Sequence, residues 1–248
     1  MRISKSTYFL FGVTVTIMTL SVTVFTGGEN SNSAQQNRSS RTPSLYEKRE
    51  RYPIAEANEV EPSDLLKKAK LKKQKQRYDK DAPFTRPGPQ DEELAFRPEA
   101  QFDFPALPIA KSDVILVGQV LQAQAHRSEN KLNVFSNFDV RIDEVLKGSN
   151  LSVGRIVTVQ RIGGFVKYED GRKVLFRLSG NGMPAVGARY AFFLTAVDED
   201  YSLLTAYEFG ADGVMPLDNS RQFETYQGQT ESVFLKILHD SIAQTVPR

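Results

Sequence analysis

Asp113-Val-Ile-Leu-Val-Gly-Gln-Val-Leu121 and, beyond a polar stretch, Phe138-Asp-Val-Arg-Ile-Asp-Glu-Val-Leu-Lys-Gly148 are the lines of this chain that decide its fold. Both are rich in β-branched and large apolar residues, which suit a pleated, half-buried surface. The polar residues His126 to Asn133 between them read as a loop, so the pair predicts a hairpin of two long strands. The second segment alternates, with Phe138, Val140 and Ile142 on one face and Asn137, Asp139, Arg141 and Asp143 on the other. The first is apolar on both faces at its start, as a central or barrel strand would be. Gly118 sits where a bend or a close backbone approach is expected.

Towards the C-terminus the strand signals continue. Ser152 to Gln160 reads as a third strand, and Gly163-Gly164 breaks the chain. Asp170-Gly171 between strand-like flanks predicts a hairpin. Ser179 to Gly187 is a Gly/Pro loop, and Ala188 to Val197 is the most apolar run of the region. Asp198-Glu199-Asp200 reads as a solvated turn into a strand over Tyr201 to Glu208. The segment 230–244 predicts an amphipathic helix with Phe234, Leu235, Leu238 and Ile242 on one face, set to pack across the barrel or plug one end. Six or seven short strands followed by a helix predict a mainly β domain over 102–248: a small antiparallel OB-like barrel with a C-terminal helix.

Upstream, the composition changes. Prolines recur from Pro83 to Pro108, and residues 29–101 read as a largely disordered linker rich in Pro and charge. Phe102 to Leu107 is too apolar for a spacer and is expected to lie on the domain. Within the linker, 62–80 predicts a basic helix capped by Ser63 or Asp64. Lys67, Lys68, Lys70, Lys72, Lys73, Lys75 and Arg77 are its candidate contacts to an anionic surface. The plainer account is a solvated helix in a stalk. Tyr8 to Thr26 carries no charge and follows Arg2 and Lys5, so 1–28 reads as a signal peptide or a transmembrane anchor. Glu29 follows the segment, which predicts a C-terminal domain outside the cytoplasm. The expected location is the cell membrane, or a secreted or periplasmic form if the segment is cleaved.

The overall charge of +2 hides an asymmetry. Residues 1–101 hold 17 Lys and Arg against 13 Asp and Glu, whereas 102–248 hold 15 against 17. A slightly acidic domain disfavours nucleic acid as its partner, and one tyrosine in the basic run offers little for base stacking. An envelope protein or polymer is the expected partner, bound on a barrel face or in the Gly/Pro loop Ser179 to Gly187. The chain has no cysteine and two histidines, which excludes disulfides and thiolate metal sites. No catalytic, cofactor-binding or metal-binding residues are assigned. His239-Asp240-Ser241 is not a triad, because neighbours on a helix point apart. The expectation is a non-enzymatic binding module. The alternatives are a hydrolase using a carboxylate pair such as Asp143 and Glu144, or a nucleic-acid or anionic-surface binder acting through 62–80.

Asp113-Val-Ile-Leu-Val-Gly-x-Val, Phe138-x-Val-x-x-x-Glu-Val-Leu-Lys-Gly148 and Val186-Gly-x-Arg-Tyr190 together resemble netrin-like or tissue-inhibitor-of-metalloproteinase-like domains over residues 111–208. The resemblance implies an OB-type five-stranded barrel with flanking helices. Inhibition in that family relies on an N-terminal cysteine that chelates the proteinase zinc. This chain has none, so the fold is carried over and the activity is not.

Overall fold

The computed structural model of the protein describes residues 52–85, 94–97 and 103–245. The expected export segment Tyr8–Thr26 and the first part of the expected linker lie outside them. Among the described residues, no helix is long and apolar enough to cross a membrane.

The elements in order are β1 (Ile54–Glu56), α1 (Leu65–Tyr78), β2 (Leu94–Arg97), β3 (Val114–Arg127), β4 (Val134–Lys147), β5 (Ile156–Ile162), β6 (Gly164–Lys167), β7 (Lys173–Leu178), β8 (Arg189–Val197), β9 (Asp200–Gly210), β10 (Gly213–Pro216), a 3-10 helix (Arg221–Tyr226) and α2 (Glu231–Thr245). The two segments that decide the fold become β3 and β4, antiparallel from Ile115↔Lys147 to Arg127↔Val134. β3 runs further than its sequence signal: the expected loop begins only after Arg127, and His126 is a buried strand residue. β3 pairs on its other side with β8, β8 with β9, and β4 with β5. β5 then meets β9, which closes a five-stranded barrel.

The closure corrects the expectation of a wholly antiparallel barrel. Five strands in a ring cannot all run opposite to both neighbours, so one pairing must be parallel. It falls at Val159↔Tyr201 and Gln160↔Ser202, between β5 and β9. Leu116, Val120, Phe138, Val140, Ile142, Val159, Phe192 and Leu194 fill the interior. Gly118 serves the close approach. A Cβ there would lie 2.6 Å from the Arg141 carbonyl oxygen, beside a register shift between Val117 and Gly118.

Outside the barrel, α2 does not plug an end. Phe234 and Leu238 lie on the outer face of β8 and β9 against Phe193 and Tyr207, with the Phe234 and Tyr207 rings 4.9 Å apart. The lead-in arm lies on the same cluster: the Tyr207 hydroxyl donates to the Ala106 carbonyl at 2.7 Å, and Gln222 donates to that of Phe104 at 2.8 Å.

The hairpin signalled by Asp170-Gly171 forms as β6–β7, but it belongs to a second sheet in the order β1-β6-β7-β2. Gly163 (φ 110) and Gly164 (φ 145) adopt backbone that other residues avoid and turn the chain out of the barrel. β1 and β2 each pair in parallel with one edge of the hairpin. Ala55, Ala95, Val166, Val174 and Phe176 then pack against Ala125 and Val134 of the barrel. Residues 52–85 and 94–97 are therefore part of the fold, which corrects the linker and stalk reading for this stretch. A lone hairpin has two open edges and one bare face, and the upstream chain covers both edges.

Candidate functional site

The basic helix forms where the sequence places it. Asp64 caps it, accepting from the backbone N–H groups of Leu66 (2.8 Å) and Lys67 (3.2 Å). It is not a solvated stalk. Leu71, Gln74 and Tyr78, spaced three and four apart, are buried along one stripe against the outer face of β4 and β5. The Tyr78 ring stacks on Phe135 with centroids 4.4 Å apart and planes 10° apart.

Around this small apolar seam the contact is polar. Gln74 donates to Asp200 at 2.7 Å and accepts from Asn137 at 3.0 Å. Gln160 donates to Asn137 at 2.9 Å and accepts from Arg77 at 2.6 Å. Arg77 also pairs with Asp198 at 2.7 Å, joined there by Lys73, while Lys70 reaches Asp200 at 2.6 Å. Lys73 and Arg77 hold the Asp198 carboxyl below its ordinary value. The turn that reads in sequence as a solvated acidic cluster is thus the charge complement of α1. Asp200 is almost wholly buried.

The seven basic candidates separate into two groups. Lys68 pairs with Glu61 and Lys75 with Glu59; Lys70, Lys73 and Arg77 pair with the β8–β9 turn. Lys67 and Lys72 are exposed and make no ion pair among the described residues, although the Glu61 carboxyl, lowered chiefly by Lys68, is also lowered by the Lys72 charge across the cleft. At the other end of the face, the β3–β4 loop holds the C-terminus of α1: Asn133 donates to the Tyr78 carbonyl at 2.8 Å, and Asp79 accepts from the Asn130 backbone N–H at 2.9 Å.

A cleft of about 550 Å³ opens beside this seam. Its walls are the segment after β1 (Asn58, Glu59, Glu61), α1 (Lys68, Lys72), the last residue of β3 (Arg127) and the loop residue Lys131. A second hollow adjoins it, sharing Ala57, Asn58 and Arg127 and ending on Tyr168. Behind the cleft, His126 Nδ1 meets one oxygen of Glu59, and Lys75 Nζ lies 2.8 Å from the other. Burial works to raise the Glu59 carboxyl, but His126 and Lys75 outweigh it and hold it below its ordinary value. An ionised Glu59 only accepts, so Nδ1 carries the proton. This arrangement is a latch between the front of the chain and β3. The nearby Ser128 hydroxyl donates to Asn130 and accepts from the Asn133 N–H. That leaves the group a loop brace, in contrast to a nucleophile held by its base.

Other sequence candidates lie apart. Asp143 pairs with Arg141 and Arg189, while Glu144 lies 3.4 Å from His239 on α2, so the two carboxylates do not converge. The Gly/Pro loop Ser179–Gly187 is mostly packed inward: Met183 is buried, and the Ala185 N–H donates to the Tyr190 hydroxyl. Among the described residues, no group of three or more His, Asp or Glu side chains is placed to hold a metal ion.

The molecule so described belongs to the class of small closed five-stranded barrels, with a cis-docked helix across one face and a charged cleft at that face's edge. No family model, curated protein or solved structure matches the chain.

Proposed function

We infer that this chain is a non-enzymatic binding module of the cell envelope, carried across or into the membrane by Tyr8–Thr26. Its working surface is the cleft between α1 and the β3–β4 loop. The barrel order β3-β4-β5-β9-β8, closed by a parallel β5–β9 pair, supports reading the barrel as OB-type. Barrels of that type take extended polymers on the face of their second and third strands, flanked by the first and fourth loops. Here those are the face of β4 and β5, the β3–β4 loop and the β8–β9 turn. In this chain α1 itself covers that face, and the observation that carries the reading is the charged cleft left at its edge, walled by α1, the segment after β1 and the β3–β4 loop. Its mixed charge, from Glu59 and Glu61 to Arg127 and Lys131, suits a polar protein segment or an envelope polymer bearing both signs.

The hydrolase alternative has less to support it. Glu59 and Glu61 in the cleft are paired with Lys75 and Lys68, which help to hold their carboxyls below the ordinary value. Carboxylates held ionised are poor general acids. Nucleic-acid binding through the basic helix loses the five cations that face the chain's own carboxylates.

The test is retention of envelope components on the tagged full chain, compared with Arg127→Glu/Lys131→Glu. The expected result is a component retained by the wild type and reduced about tenfold by the double variant, equivalent to about 1.4 kcal/mol. Equal retention by both chains, or none by either, would sink the reading. A C-terminal reporter active only outside the cytoplasm tests the location.

A further inference from the structure

We propose that the outer face of β4 and β5, together with the β8–β9 turn, is a docking surface for a basic helical segment of another protein, and that α1 is its displaceable occupant in cis. Two helices lie on the outside of this barrel, and they are held in different ways. α2 covers β8 and β9 through an apolar cluster that includes Phe193, Tyr207, Val214, Phe234 and Leu238. Under α1 the apolar cluster is only Leu71, Tyr78 and Phe135, edged by Ile162. The rest of the covered surface is polar. Gln160 and Asp200 are 0% and 3% exposed, and both bond to α1. Permanent interfaces are the more apolar ones, whereas a face that meets water in one of its states keeps polar groups. The β4–β5 face is of the second kind.

Its chemistry names the partner. Asp198, Glu199 and Asp200 give the turn three successive carboxylates. Asn137 and Gln160 form one amide pair across β4 and β5, next to the Phe135–Ile162 pair. α1 answers with cations spaced three and four apart: Lys70 meets Asp200 at 2.6 Å, and Lys73 and Arg77 meet Asp198 at 3.1 and 2.7 Å. Gln74 lies between them and donates to Asp200 at 2.7 Å, with Leu71 and Tyr78 along the apolar side. The segment that fits therefore carries Lys or Arg at i, i+3 and i+7, an amide at i+4, and apolar or aromatic residues at i+1 and i+8. An anionic polymer would be repelled by the three carboxylates. The contact to Asp198 is half in solvent, Lys73 being 64% and Asp198 40% exposed, so it holds α1 weakly. What favours α1 over a competitor is its covalent tether, which sets an effective concentration on the order of millimolar. The cleft keeps its α1 wall only while the helix is docked, so the two surfaces belong to alternative states and neither reading rests on the other.

The probe is a fluorescein-labelled peptide with the sequence of residues 62–82, titrated by anisotropy into the full chain. A second titration uses the full chain carrying Leu71→Ala/Tyr78→Ala, which loosens the occupant and leaves the face intact. The expected dissociation constant is on the order of millimolar for the wild type and at least about tenfold lower for the double variant. Binding is expected to vanish when Asp200→Ala is added to the double variant, or when the peptide carries Lys70→Glu/Arg77→Glu. Equal affinity for the two chains, binding to neither, or binding insensitive to both charge changes overturns the proposal. Should the double variant fail to fold, hydrogen exchange on the wild type decides. Saturating unlabelled peptide is expected to speed exchange of the α1 amides and to leave those of β4 unchanged. Unaltered α1 exchange at saturation overturns the proposal.

Discussion

Asp218 is wholly buried, and its carboxylate sits against the equally enclosed guanidinium of Arg161 while accepting the Gly182 N–H at 3.0 Å. Burial raises its carboxyl, opposed by Arg161 and the Gly182 amide. Two further guanidinium nitrogens of Arg161 find no acceptor in the protein. The pair joins β5 to the chain after β10, and Gly182 comes so close that a Cβ would lie 2.0 Å from the Leu217 carbonyl oxygen. A buried pair adds little net stability, yet removing one partner leaves an uncompensated charge. Asp218→Ala is therefore expected to cost about 3–5 kcal/mol, read as a lower urea midpoint with an unchanged slope. Asp218→Asn keeps an acceptor for Gly182 and is expected to lose less. An Ala variant as stable as the wild type would show that the pair is solvated or dispensable.

At the scale of the element, α1 is held by a mixture that the sequence does not hint at. Its apolar stripe is only Leu71 and the Tyr78 ring, which is too narrow to dock a helix by area alone. The remainder comes from Gln74, Lys70 and Arg77 reaching Asn137, Gln160, Asp198 and Asp200. Asp200 is the decisive partner because it is buried, whereas Asp198 is 40% exposed and screened by solvent. Losing Asp200 leaves Gln74 and Lys70 without their acceptor, a cost of about 1–3 kcal/mol to docking. The helix is dense in lysine, so trypsin reports its opening directly. If opening and closing are fast relative to cleavage, Asp200→Ala is expected to raise cleavage within 65–80 roughly 5- to 150-fold, and Asp198→Ala a few-fold at most. Equal rates in all three proteins would mean that α1 is not held by this contact.

Across the whole molecule, the long elements were legible and the short ones were not. β3, β4, β8 and α2 each carry enough periodic apolar residues to announce themselves, and the alternation of Phe138, Val140 and Ile142 correctly named the inner face. β1 and β2 span three and four residues beside Pro53 and Pro98, below any periodic signal. They exist only because β6 and β7 offer edges to pair with. The cleft was hidden for the same reason. Its walls come from 56–75 and 127–131, and only the docking of the front segment brings them together. This has a direct consequence for a chain that begins at Asp103. The barrel strands and the α2 contact are untouched by the cut, and the interior cluster loses only Tyr52 and Leu94 at its margin, so the shortened chain should still fold. It loses the cover that Tyr52, Ala55, Leu71, Tyr78 and Ala95 give to Phe135, Val166 and Phe176. Each buried apolar side chain of that size contributes about 1.5–3 kcal/mol, largely offset by the freedom the front segment regains. A net loss of a few kcal/mol corresponds to a melting temperature lower by roughly 10 °C in a domain of this length. The bared edges of β6 and β7 should also make the shortened chain aggregate with rising concentration, while the full chain does not. Calorimetry across a dilution series separates the two effects, and a melting temperature equal to that of the full chain would return residues 52–97 to the role of a linker.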